Sequence, residues 1–499
     1  MNLGLLLDMA ADGFGDRVII GRRGNGLTTA KLREMSAVGA QTIRESGADA
    51  VVYLAVNGPA FPVALFSAAR AGVPLVPVNY RLGQEQMEGL LANHPKAFGI
   101  AGTTGEAAAL HAAGLTTRTP EEWLEQCAAG SAQDEGFVDP ESPAVIIYTS
   151  GSTSAPKGVV LRHQNLFSYV TGSVEFAGAG EDEAALISVP PYHIAAVANC
   201  ISNLYAGRRT MVLEQFVPDQ WLELVREEGV TNALVVPTML KRVLEATGDL
   251  SVPTLKTLAY GGGPMPAPVI ENALHAWPNV GFVNAYGLTE TSSTVAVLGP
   301  DDHRAAIASD EPAVRARLGS VGQPLPAIQI QIRDEDGNPV PAGVKGRIFV
   351  SGAQVSAEYL GQGSVVDATG FFDTRDEGYV DEQGYLFIGG RADDTIIRGA
   401  ENIAPAEIED VLLRHPAVAD AVVVGVPSVE WGQTIEAVIV LADGQSIDEQ
   451  AVRDYARGAL RGSRTPDHVT FWGEIPRTET GKLIRRNIVA ALADELPKS

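Results

Sequence analysis

The stretch YTSGSTSAPKGVV, from Tyr148 to Val160, organises the rest of the sequence. An apolar run, Ala144–Tyr148, leads into a loop of hydroxyl-bearing residues around a glycine, and apolar residues follow Lys157 and Gly158. This order predicts a strand, a loop and a second strand. Hydroxyls, backbone N–H groups and a lysine can surround phosphate oxygens, and glycine lets the backbone approach them closely. We therefore predict a loop that binds the phosphates of a nucleotide.

Two alternatives for this loop are disfavoured by its composition. A P-loop needs a glycine, a lysine and a hydroxyl residue at the start of a helix, whereas here Pro156 precedes the lysine and Gly158 follows it. A surface linker would hardly place five hydroxyls between two apolar runs and ahead of a Pro-Lys-Gly sequence. Those five are Thr149, Ser150, Ser152, Thr153 and Ser154.

The composition predicts a soluble globular protein with a large core. Of the 499 residues, 45% are hydrophobic and 20% are charged, which is ordinary for this class. The formal net charge of −24 argues against affinity for nucleic acid or anionic membranes, because both need a cationic surface. Any phosphate ligand must therefore be held locally.

Cysteine content and hydropathy predict a cytoplasmic location. Cys127 and Cys200 are the only cysteines, which leaves no disulfide framework and no cysteine-rich metal site. Cys127 lies in an acidic, helical stretch and is interpreted as incidental. The first residues have no basic segment before their apolar run, and no uninterrupted apolar run reaches the ~18–20 residues of a membrane span. We therefore predict no integral membrane association.

Alternating strand-like and helix-like segments predict a mostly parallel sheet in the first part of the chain. Further along, Leu255–Tyr260 is a predicted strand that ends at three glycines, Gly261 to Gly263, and Val280–Ala285 is a predicted strand that ends at Tyr286–Thr291. Open α/β sheets bind ligands at the carboxyl ends of their strands. We expect both turns to converge on the phosphate loop.

The pattern changes from Ile328 onwards. Apolar and polar residues alternate there, with Asp336–Gly337 as a turn, which predicts antiparallel hairpins in a small β subdomain. A charged break follows at Arg391 to Asp394, and strands and helices resume beyond it. We place a domain boundary between residues 392 and 393. The predicted fold is α/β, with a large N-terminal domain (1–392) of mixed and parallel sheets sandwiched by helices, and a small α+β C-terminal domain (393–499).

Five stretches, taken together, resemble the adenylate-forming superfamily, which includes acyl-CoA synthetases, luciferases and nonribosomal-peptide adenylation domains. They span most of the chain in the order that the family shows. The stretches are TSGSTSAPKGV (Thr149–Val159), AYGLTET (Ala285–Thr291), TRD (Thr374–Asp376), GRADDTIIRGAENIAPAEIE (Gly390–Glu409) and PRTETGKLIRR (Pro476–Arg486).

The resemblance implies an ATP-dependent carboxylic acid:CoA ligase that uses ATP, Mg²⁺ and coenzyme A. A carboxylate is too poor an electrophile to acylate a thiol, so it first attacks the α-phosphorus of ATP and gives an acyl-adenylate and pyrophosphate. Since both reactants are anions, the site must supply positive charge and oriented donors. The implied substrate is a small carboxylic acid of the fatty, aromatic or alicyclic kind.

The resemblance also assigns roles to individual residues of the large domain. Thr289 would hydrogen-bond the α-phosphate, Glu290 would hold Mg²⁺ as an oxygen ligand, and Asp376 would accept hydrogen bonds from the ribose hydroxyls. The β- and γ-phosphates would be held by Thr149, Ser150, Gly151, Ser152, Thr153 and Lys157. The adenine, the ribose and the acyl group would be framed by Gly261, Gly262, Gly263, Asn284, Ala285, Tyr286, Gly287 and Arg391.

In the small domain the resemblance implies a mobile lid with two roles. Lys482 would bridge the substrate carboxylate and the α-phosphate, although an isolated lysine so close to the carboxyl terminus would be interpreted as simply solvated. The lid would then rotate about Asp393 and present the turn from Arg398 to Glu401 to the pantetheine arm of coenzyme A. Gly399 suits a narrow tunnel, and a plain glycine hairpin is a compatible alternative.

Other candidates are less decisive. His193 is as consistent with a structural residue as with one lining a pocket. Ala195 and Ala196, with Gly262 and Gly263, would leave room for an aliphatic or ring-bearing acid. The arginines at 453, 457, 461 and 464 form one helical stripe, for which a solvated face is favoured over a site for coenzyme A phosphates.

Departures from the family pattern, and alternatives, are also apparent. Ser154, Arg375 and Arg347 stand where the family commonly has glycine, glycine and glutamate, and the first two could alter ATP affinity. A free-standing enzyme that loads a carrier protein and a noncatalytic ATP-binding homologue are the alternative functions. A homodimer is left open by the sequence.

Overall fold

Two mixed β-sheets, of nine and eight strands, are the largest sheets in the computed structural model, which describes residues 1–132, 136–149, 156–398, 401–428, 431–460, 464–478, 481 and 483–495. Over these residues the strands are β1 Val18–Ile20, β2 Leu27–Thr28, β3 Val51–Leu54, β4 Leu75–Pro77, β5 Phe98–Ala101, β6 Thr116–Arg118, β7 Pro143–Thr149, β8 Lys157–Arg162, β9 Ala184–Ile187, β10 Arg209–Val212, β11 Asn232–Val235, β12 Thr257–Gly261, β13 Gly281–Leu288, β14 Ser293–Leu298, β15 Gln323–Pro324, β16 Gln329–Arg333, β17 Gly346–Ser351, β18 Glu358–Tyr359, β19 Gly363–Ser364, β20 Phe372–Val380, β21 Leu386–Arg391, β22 Ile396–Arg398, β23 Glu401–Ile403, β24 Val418–Ser428, β25 Gly432–Leu441 and β26 His468–Phe471.

The α-helices in the same residues are α1 Leu3–Phe14, α2 Thr29–Ser46, α3 Ala60–Ala71, α4 Gln84–Leu91, α5 Thr104–Ala112, α6 Pro120–Ala129, α7 His163–Ser173, α8 Ile194–Ala206, α9 Pro218–Glu227, α10 Pro237–Leu244, α11 Ala267–Ala276, α12 Pro300–Ala308, α13 Pro312–Arg315, α14 Pro405–Leu412, α15 Glu449–Ala459 and α16 Arg485–Glu495. Short 3-10 helices occupy Thr289–Thr291, Ala316–Gly319 and Ala392–Asp394. In the part of the chain that is described, no helix combines the length and apolar character needed to cross a membrane.

The first sheet has the order β15-β14-β13-β12-β11-β9-β10-β1-β2. The strands from β13 to β1 are parallel to their neighbours, and β14, β15 and β2 add antiparallel edges. The second sheet has the order β19-β18-β8-β7-β4-β3-β5-β6, with parallel pairing from β7 to β6 and antiparallel pairing on the other side. The predicted mixture of parallel and antiparallel strands is confirmed.

Helices lie between the two sheets and on their outer faces. One buried cluster combines residues of both sheets with side chains from α1, α2, α3, α7 and α8. Successive residues of β3 point to opposite faces: Val51 and Tyr53 join this cluster, while Val52 and Leu54 join a second cluster that includes Leu90 of α4. A third cluster places α9, α10 and α11 against the first sheet. Each sheet is therefore covered on both faces, as its apolar strands predicted.

The predicted β subdomain is a four-stranded antiparallel sheet of order β16-β17-β20-β21. Beyond it, β24, β25 and β26 form a separate sheet, on which residues 396–492 build two buried clusters. Val423 of β24 joins one cluster and Val422 joins the other, so this sheet is also covered on both faces. The fold class is confirmed, and the boundary between residues 392 and 393 remains a prediction.

One strand differs from the prediction. The residues Tyr286 to Leu288, expected to follow the strand as a turn, lie within β13. They remain extended because β14 pairs with them, and the register shifts between Tyr286 and Gly287. This pairing partner was not apparent from local sequence.

Both cysteines are buried and unpaired. Burial raises the pKa of the Cys127 and Cys200 thiols to about 12. Neither thiol is therefore a nucleophile near neutral pH, in agreement with the interpretation of Cys127 as incidental.

Candidate active site

Ends of strands from both sheets and the β subdomain meet at one cavity of about 3120 Å³. Its lining extends from the large domain to residues of the small domain such as Gly481 and Leu483. A cavity several times larger than the roughly 300–1,000 Å³ of an ordinary ligand pocket has room for more than one reactant. The predicted site residues that line it are Thr149, Lys157, His193, Gly261, Gly262, Gly263, Asn284, Ala285, Tyr286, Gly287, Thr289, Glu290, Asp376, Arg391 and Asp393.

The phosphate loop is anchored by the hairpin of β7 and β8. Thr149 and Lys157 are paired across these strands, so they bring the two ends of the loop together at the cavity. Tyr148 also lines the cavity, and its hydroxyl forms a hydrogen bond of 2.8 Å with Nε2 of His94. Ser150, Gly151, Ser152 and Thr153, to which phosphate binding was assigned, lie outside the described residues, as does Ser154.

A buried carboxylate forms the centre of one wall. Asp376 is 7% exposed, and its Oδ2 accepts a hydrogen bond of 2.6 Å from the hydroxyl of Tyr286. Arg391 Nε lies 3.7 Å from the other carboxylate oxygen. Burial and the nearby carboxylate raise the pKa of Tyr286 well above its ordinary value, so the phenol stays protonated and donates. A carboxylate accepts several hydrogen bonds at once, so Asp376 suits the hydroxyl groups of a ligand.

The turn after β13 presents Thr289 and Glu290 to the cavity. The side chain of Glu290 accepts a hydrogen bond of 2.8 Å from the hydroxyl of Tyr359. The backbone N–H groups of Ser356 and Ala357 donate to the Glu290 carbonyl at 2.9 and 3.0 Å. The chain before β18 therefore fixes the position of this acidic residue.

Gly287 is required by the close approach of two backbones. A Cβ at this position would overlap the carbonyl group of Ser293, in the strand that pairs with it. Gly287 directly follows Tyr286 and lies two positions before Thr289. This tight pairing therefore also sets where both side chains reach the cavity. The sequence analysis assigned Gly287 to the site, and its structural reason is this backbone contact.

The glycines after β12 have different roles. Gly262 has a φ of +82°, a left-handed conformation that favours glycine, and a Cβ on Gly261 would overlap the Ala285 carbonyl. At Gly263 a Cβ would meet nothing within 4 Å, so its missing side chain simply leaves space. The side chain of Asn284 donates to the carbonyl of Ser320 at 3.0 Å while the residue lines the cavity.

Family comparisons agree with this geometry. The model described as AMP-binding enzyme matches residues 7–360, and the model described as AMP-binding enzyme C-terminal domain matches residues 407–482. The chain belongs to the AMP-binding enzyme family. The resemblance to the adenylate-forming superfamily is thereby confirmed, as is the enzyme class, an AMP-forming acid–thiol ligase.

Relatives and solved structures cover nearly the whole chain. Feruloyl-CoA synthase of Amycolatopsis is 34% identical over 477 residues, which are 93% of this chain and 94% of the relative. Fatty acid–[acyl-carrier-protein] ligase ScoC of Streptomyces coeruleorubidus is 31% identical and covers 93% of this chain and 91% of its own. The structure of o-succinylbenzoate CoA synthetase (MenE) of Bacillus subtilis with its acyl-adenylate intermediate aligns with a TM-score of 0.84, at 26% identity and 97% coverage of both chains. ATP-bound MatB of Rhodopseudomonas palustris aligns with a TM-score of 0.87, at 26% identity, over 99% of this chain and 100% of that one.

In this AMP-binding enzyme the pocket candidates divide into two groups. His193 lines the cavity at the start of α8, with its ring centroid 4.8 Å from that of Tyr192. Ala195 also lines the cavity. Ala196 does not, because it is 1% exposed and belongs to the buried core. The expectation that Ala196 leaves room for the substrate is therefore not met.

The small domain contributes part of the cavity lining. Asp393 and Thr478 line it with Gly481 and Leu483, which flank Lys482. Lys482 itself lies outside the described residues, as does Gly399. Arg398 does not line the cavity: it donates to Asp467 at 2.7 Å, and its guanidinium carbon lies 4.8 Å from the ring centroid of Trp431. Glu401 is described only through its backbone, which pairs with Arg398 in the β22–β23 ribbon.

The structure shows the contacts of the residues that depart from the family pattern and of the arginine stripe. Arg375 has a φ of +63°, which explains why glycine is common there in the family. Arg347 donates to Asp373 at 2.9 Å. In the stripe, Arg453 donates to the Pro466 carbonyl at 3.0 Å and Arg464 pairs with Glu407, while Arg461 lies outside the described residues.

Tyr359 is the functional candidate that the sequence analysis missed. It lines the cavity, and its hydroxyl donates to Glu290. Burial, followed by the carboxylate of Glu290, raises the pKa of its hydroxyl. Near Tyr359 the sequence offers only the short stretch Glu358-Tyr359-Leu360 as a signal of this role. The strand that positions Tyr359, β8, lies almost 200 residues earlier in the chain.

Proposed function

We propose that the protein is an ATP-dependent carboxylic acid:CoA ligase, and that the cavity between its two parts is where the acid is activated. The observation that carries this proposal is the grouping of unlike charges around one cavity. Asp376, with Tyr286 and Arg391, offers a carboxylate for ligand hydroxyls. Glu290 and Lys157 line the same cavity and offer a carboxylate for a cation and an ammonium group for phosphate oxygens. This arrangement suits a nucleoside triphosphate.

The residues present fit Mg²⁺ and ATP. No cluster of three or more His, Cys, Asp or Glu side chains able to hold a metal by itself occurs within the described ranges. Mg²⁺ is commonly bound by one or two carboxylates together with phosphate oxygens and water, which a single Glu290 can support. When bound, the ion neutralises phosphate charge. ATP, Mg²⁺ and coenzyme A are the cofactors of this ligase.

In the first step a carboxylate oxygen forms a bond to the α-phosphorus of ATP, and the bond to pyrophosphate breaks. By family resemblance Thr289 would hydrogen-bond the α-phosphate, and Lys157 would neutralise the phosphates beyond it. By family resemblance Lys482 supplies positive charge between the two anions. Positioning and electrostatic stabilisation are the main contributions that a protein makes to such a transfer.

In the second step the sulfur of coenzyme A forms a bond to the acyl carbon, AMP leaves, and the thiol proton is lost. The resemblance assigns the approach of the thiol to a rotation of the small domain about Asp393, which brings Arg398, Gly399 and Glu401 towards the cavity. The position of Arg398 outside the cavity lining is compatible with the conformation that precedes this rotation.

We propose an acid whose acyl group is largely apolar and carries no ammonium group. The cavity lining includes Ile194, Ala195, Val236 and Met265, which offer apolar surface, and Gly263 leaves open space. Feruloyl-CoA synthase, among the relatives, makes an arylpropenoic acid the first compound to test. Fatty and alicyclic acids complete the panel.

The test is the release of pyrophosphate across this panel, with and without coenzyme A, with acyl-CoA formation followed by mass spectrometry. We expect ATP- and acid-dependent pyrophosphate release and an acyl-CoA product. Since one relative is a fatty acid–[acyl-carrier-protein] ligase, a phosphopantetheinylated carrier protein is offered in parallel. Acylation of the carrier with indifference to free coenzyme A would establish the alternative acceptor, and ATP binding without pyrophosphate release would establish a noncatalytic homologue.

Lys482→Ala tests whether Lys482 acts in the first step, adenylate formation, and not in the second, thioester formation. Because Lys482 is needed where two anions meet, the variant should lose adenylate formation and largely retain thioester formation from supplied acyl-adenylate. Both half-reactions are measured separately, by pyrophosphate release and by acyl-CoA yield. Equal loss of both would contradict the role assigned to Lys482.

Two further predictions concern the setting of the enzyme. The cysteine content favours a cytoplasmic location, which fractionation of cells that produce the protein would test. We also propose a homodimer, which light scattering of the purified protein would test. The proposed role of the cavity does not depend on the oligomeric state.

A further inference from the structure

Tyr359 contacts two oppositely charged residues of the site. Its hydroxyl donates to Oε1 of Glu290 at 2.8 Å, and Nζ of Lys157 lies 5.4 Å from its ring centroid. An aromatic ring attracts a cation over its face, and a phenol donates well to a carboxylate. One side chain therefore contacts both charged groups with the chemistry that each prefers.

The backbone around Tyr359 explains why it is held there. Tyr359 is paired with Val159 of β8, and the N–H of Leu360 donates to the Gly158 carbonyl at 2.8 Å. Just before it, the N–H groups of Ser356 and Ala357 donate to the backbone of Glu290. The segment 356–360 thus binds the strand that follows the phosphate loop and also the turn that carries Glu290.

Glu290 and Lys157 form no salt bridge with each other, although both contact Tyr359, one at its hydroxyl and the other at its ring. A direct pair would occupy the carboxylate and the ammonium at once, and neither would then be available to a ligand. Because each contacts Tyr359 instead of the other, Glu290 keeps Oε2 for a cation, and Lys157 keeps its ammonium protons for phosphate oxygens.

We propose that Tyr359 is a positioning residue that orients Glu290 towards the metal and Lys157 towards the phosphates while it keeps the two from pairing. This inference rests on the proposed function, because it assigns both charged residues to MgATP. It adds a residue to the site that acts through Glu290 and Lys157.

The test measures metal binding directly. Mn²⁺ replaces Mg²⁺, and its binding to the protein with α,β-methylene-ATP is followed by electron paramagnetic resonance. Tyr359→Phe removes the hydroxyl and keeps the ring, so Mn²⁺ binding should weaken about tenfold, as is typical when a partner of a metal ligand is lost. Affinity for the analogue without metal should change less than twofold. Tyr359→Leu removes the ring as well and should weaken both.

Matched variants separate this positioning role from a general effect on folding. Tyr385→Phe removes a similar donor, whose hydroxyl donates to Asp302 at 2.6 Å away from the cavity lining, and should leave Mn²⁺ binding unchanged. In a Glu290→Gln background, Tyr359→Phe should have no further effect, because the contact acts through the carboxylate. Chemical unfolding of each variant confirms equal folding.

The outcomes distinguish the two proposals. If wild-type protein shows no Mn²⁺-dependent binding of the analogue, the proposed function is wrong. If wild type binds Mn²⁺ and Tyr359→Phe binds it equally well, the positioning role is overturned while the proposed function stands. An equal tenfold loss in the Glu290→Gln background would also overturn it.

Discussion

Arg375 occupies a backbone conformation that suits glycine. Its φ of +63° places it in the left-handed region, and its exposed side chain makes a long ion pair, 3.8 Å, with Asp373. A residue with a Cβ pays roughly 1 kcal/mol or more in this region. Arg375→Gly should therefore raise the free energy of unfolding by about 1 kcal/mol, measured by urea denaturation.

A second variant isolates the backbone contribution at this position. Arg375→Ala removes the same ion pair but keeps the Cβ, so its stability should not rise. Equal gains in both variants would attribute the effect to the arginine side chain instead of to its φ.

Individual residues show how far sequence analysis reaches at this site. Tyr286 and Asp376 stand in separate motifs, and the structure joins them by one hydrogen bond. Tyr359 escaped notice because two residues of strand carry no periodic pattern, and its neighbours come from distant parts of the chain. Ala196 was misjudged for a related reason: adjacent helical residues face different sides, and sequence alone did not show which side met the cavity.

The β13–β14 hairpin depends on Gly287. A Cβ there would overlap the Ser293 carbonyl, so Gly287→Ala must push the two strands apart. We expect a loss of about 1–3 kcal/mol in the free energy of unfolding, the usual cost of overpacking, and a higher KM for ATP because Tyr286 moves. Gly263→Ala is the control, because space surrounds that position, and its unfolding should match wild type.

The contact of α1 with α7 predicts a pH-dependent stability. The N–H of Leu3 donates to Nδ1 of His163 at 3.3 Å, and burial lowers the pKa of that imidazole from 6.5 to about 4. Below pH 6.5 His163 is protonated in the unfolded chain but stays neutral in the folded protein, so the free energy of unfolding falls as pH drops towards 4. This group alone should cost about 2 kcal/mol between pH 7 and pH 5.

His163→Asn tests that contribution, because its amide oxygen can still accept from Leu3 while it cannot be protonated in this range. Urea denaturation of both proteins at pH 7 and pH 5 gives the comparison. The variant should lose about 2 kcal/mol less than wild type over this interval. Parallel losses would show that other groups control the acid sensitivity.

At the level of elements, local signals predicted most boundaries. Glycine ends β12, close to where the sequence placed it. Proline at the first turn marks the start of α9 and of α10 in the same local way. The end of β13 was wrong because it depends on pairing with β14, which no local pattern specifies. Elements whose limits come from their own residues were predictable, and those limited by a partner strand were not.

For the whole molecule, motif order predicted that two parts of the chain share one site, but it could not predict the contacts between them. Lys241 of α10 donates to the Ala419 carbonyl at 2.7 Å. Asp420 then binds Arg477 at 2.8 Å, and Arg477 donates to the Gly481 carbonyl at 3.1 Å. Gly481 packs closely against Thr238, next to Lys241 on the same helix. These contacts hold the segment that carries Lys482 against the large domain.

Lys241→Met tests whether this contact favours the conformation in which the acid is activated. The variant keeps an unbranched side chain and loses the donor to Ala419, so the closed arrangement should lose about 0.5–1.5 kcal/mol. A change of this size in the equilibrium between the two lid conformations, present with or without ligand, should slow pyrophosphate release roughly two- to tenfold. Thioester formation from supplied acyl-adenylate should not slow, because it needs the lid to leave. Lys256→Met, which removes a surface contact with Glu183 away from the cavity lining, serves as the control and should change neither half-reaction. Lys241 also lines the cavity. Equal slowing of both half-reactions by Lys241→Met would show that it acts directly in both reactions rather than on the balance between the two conformations.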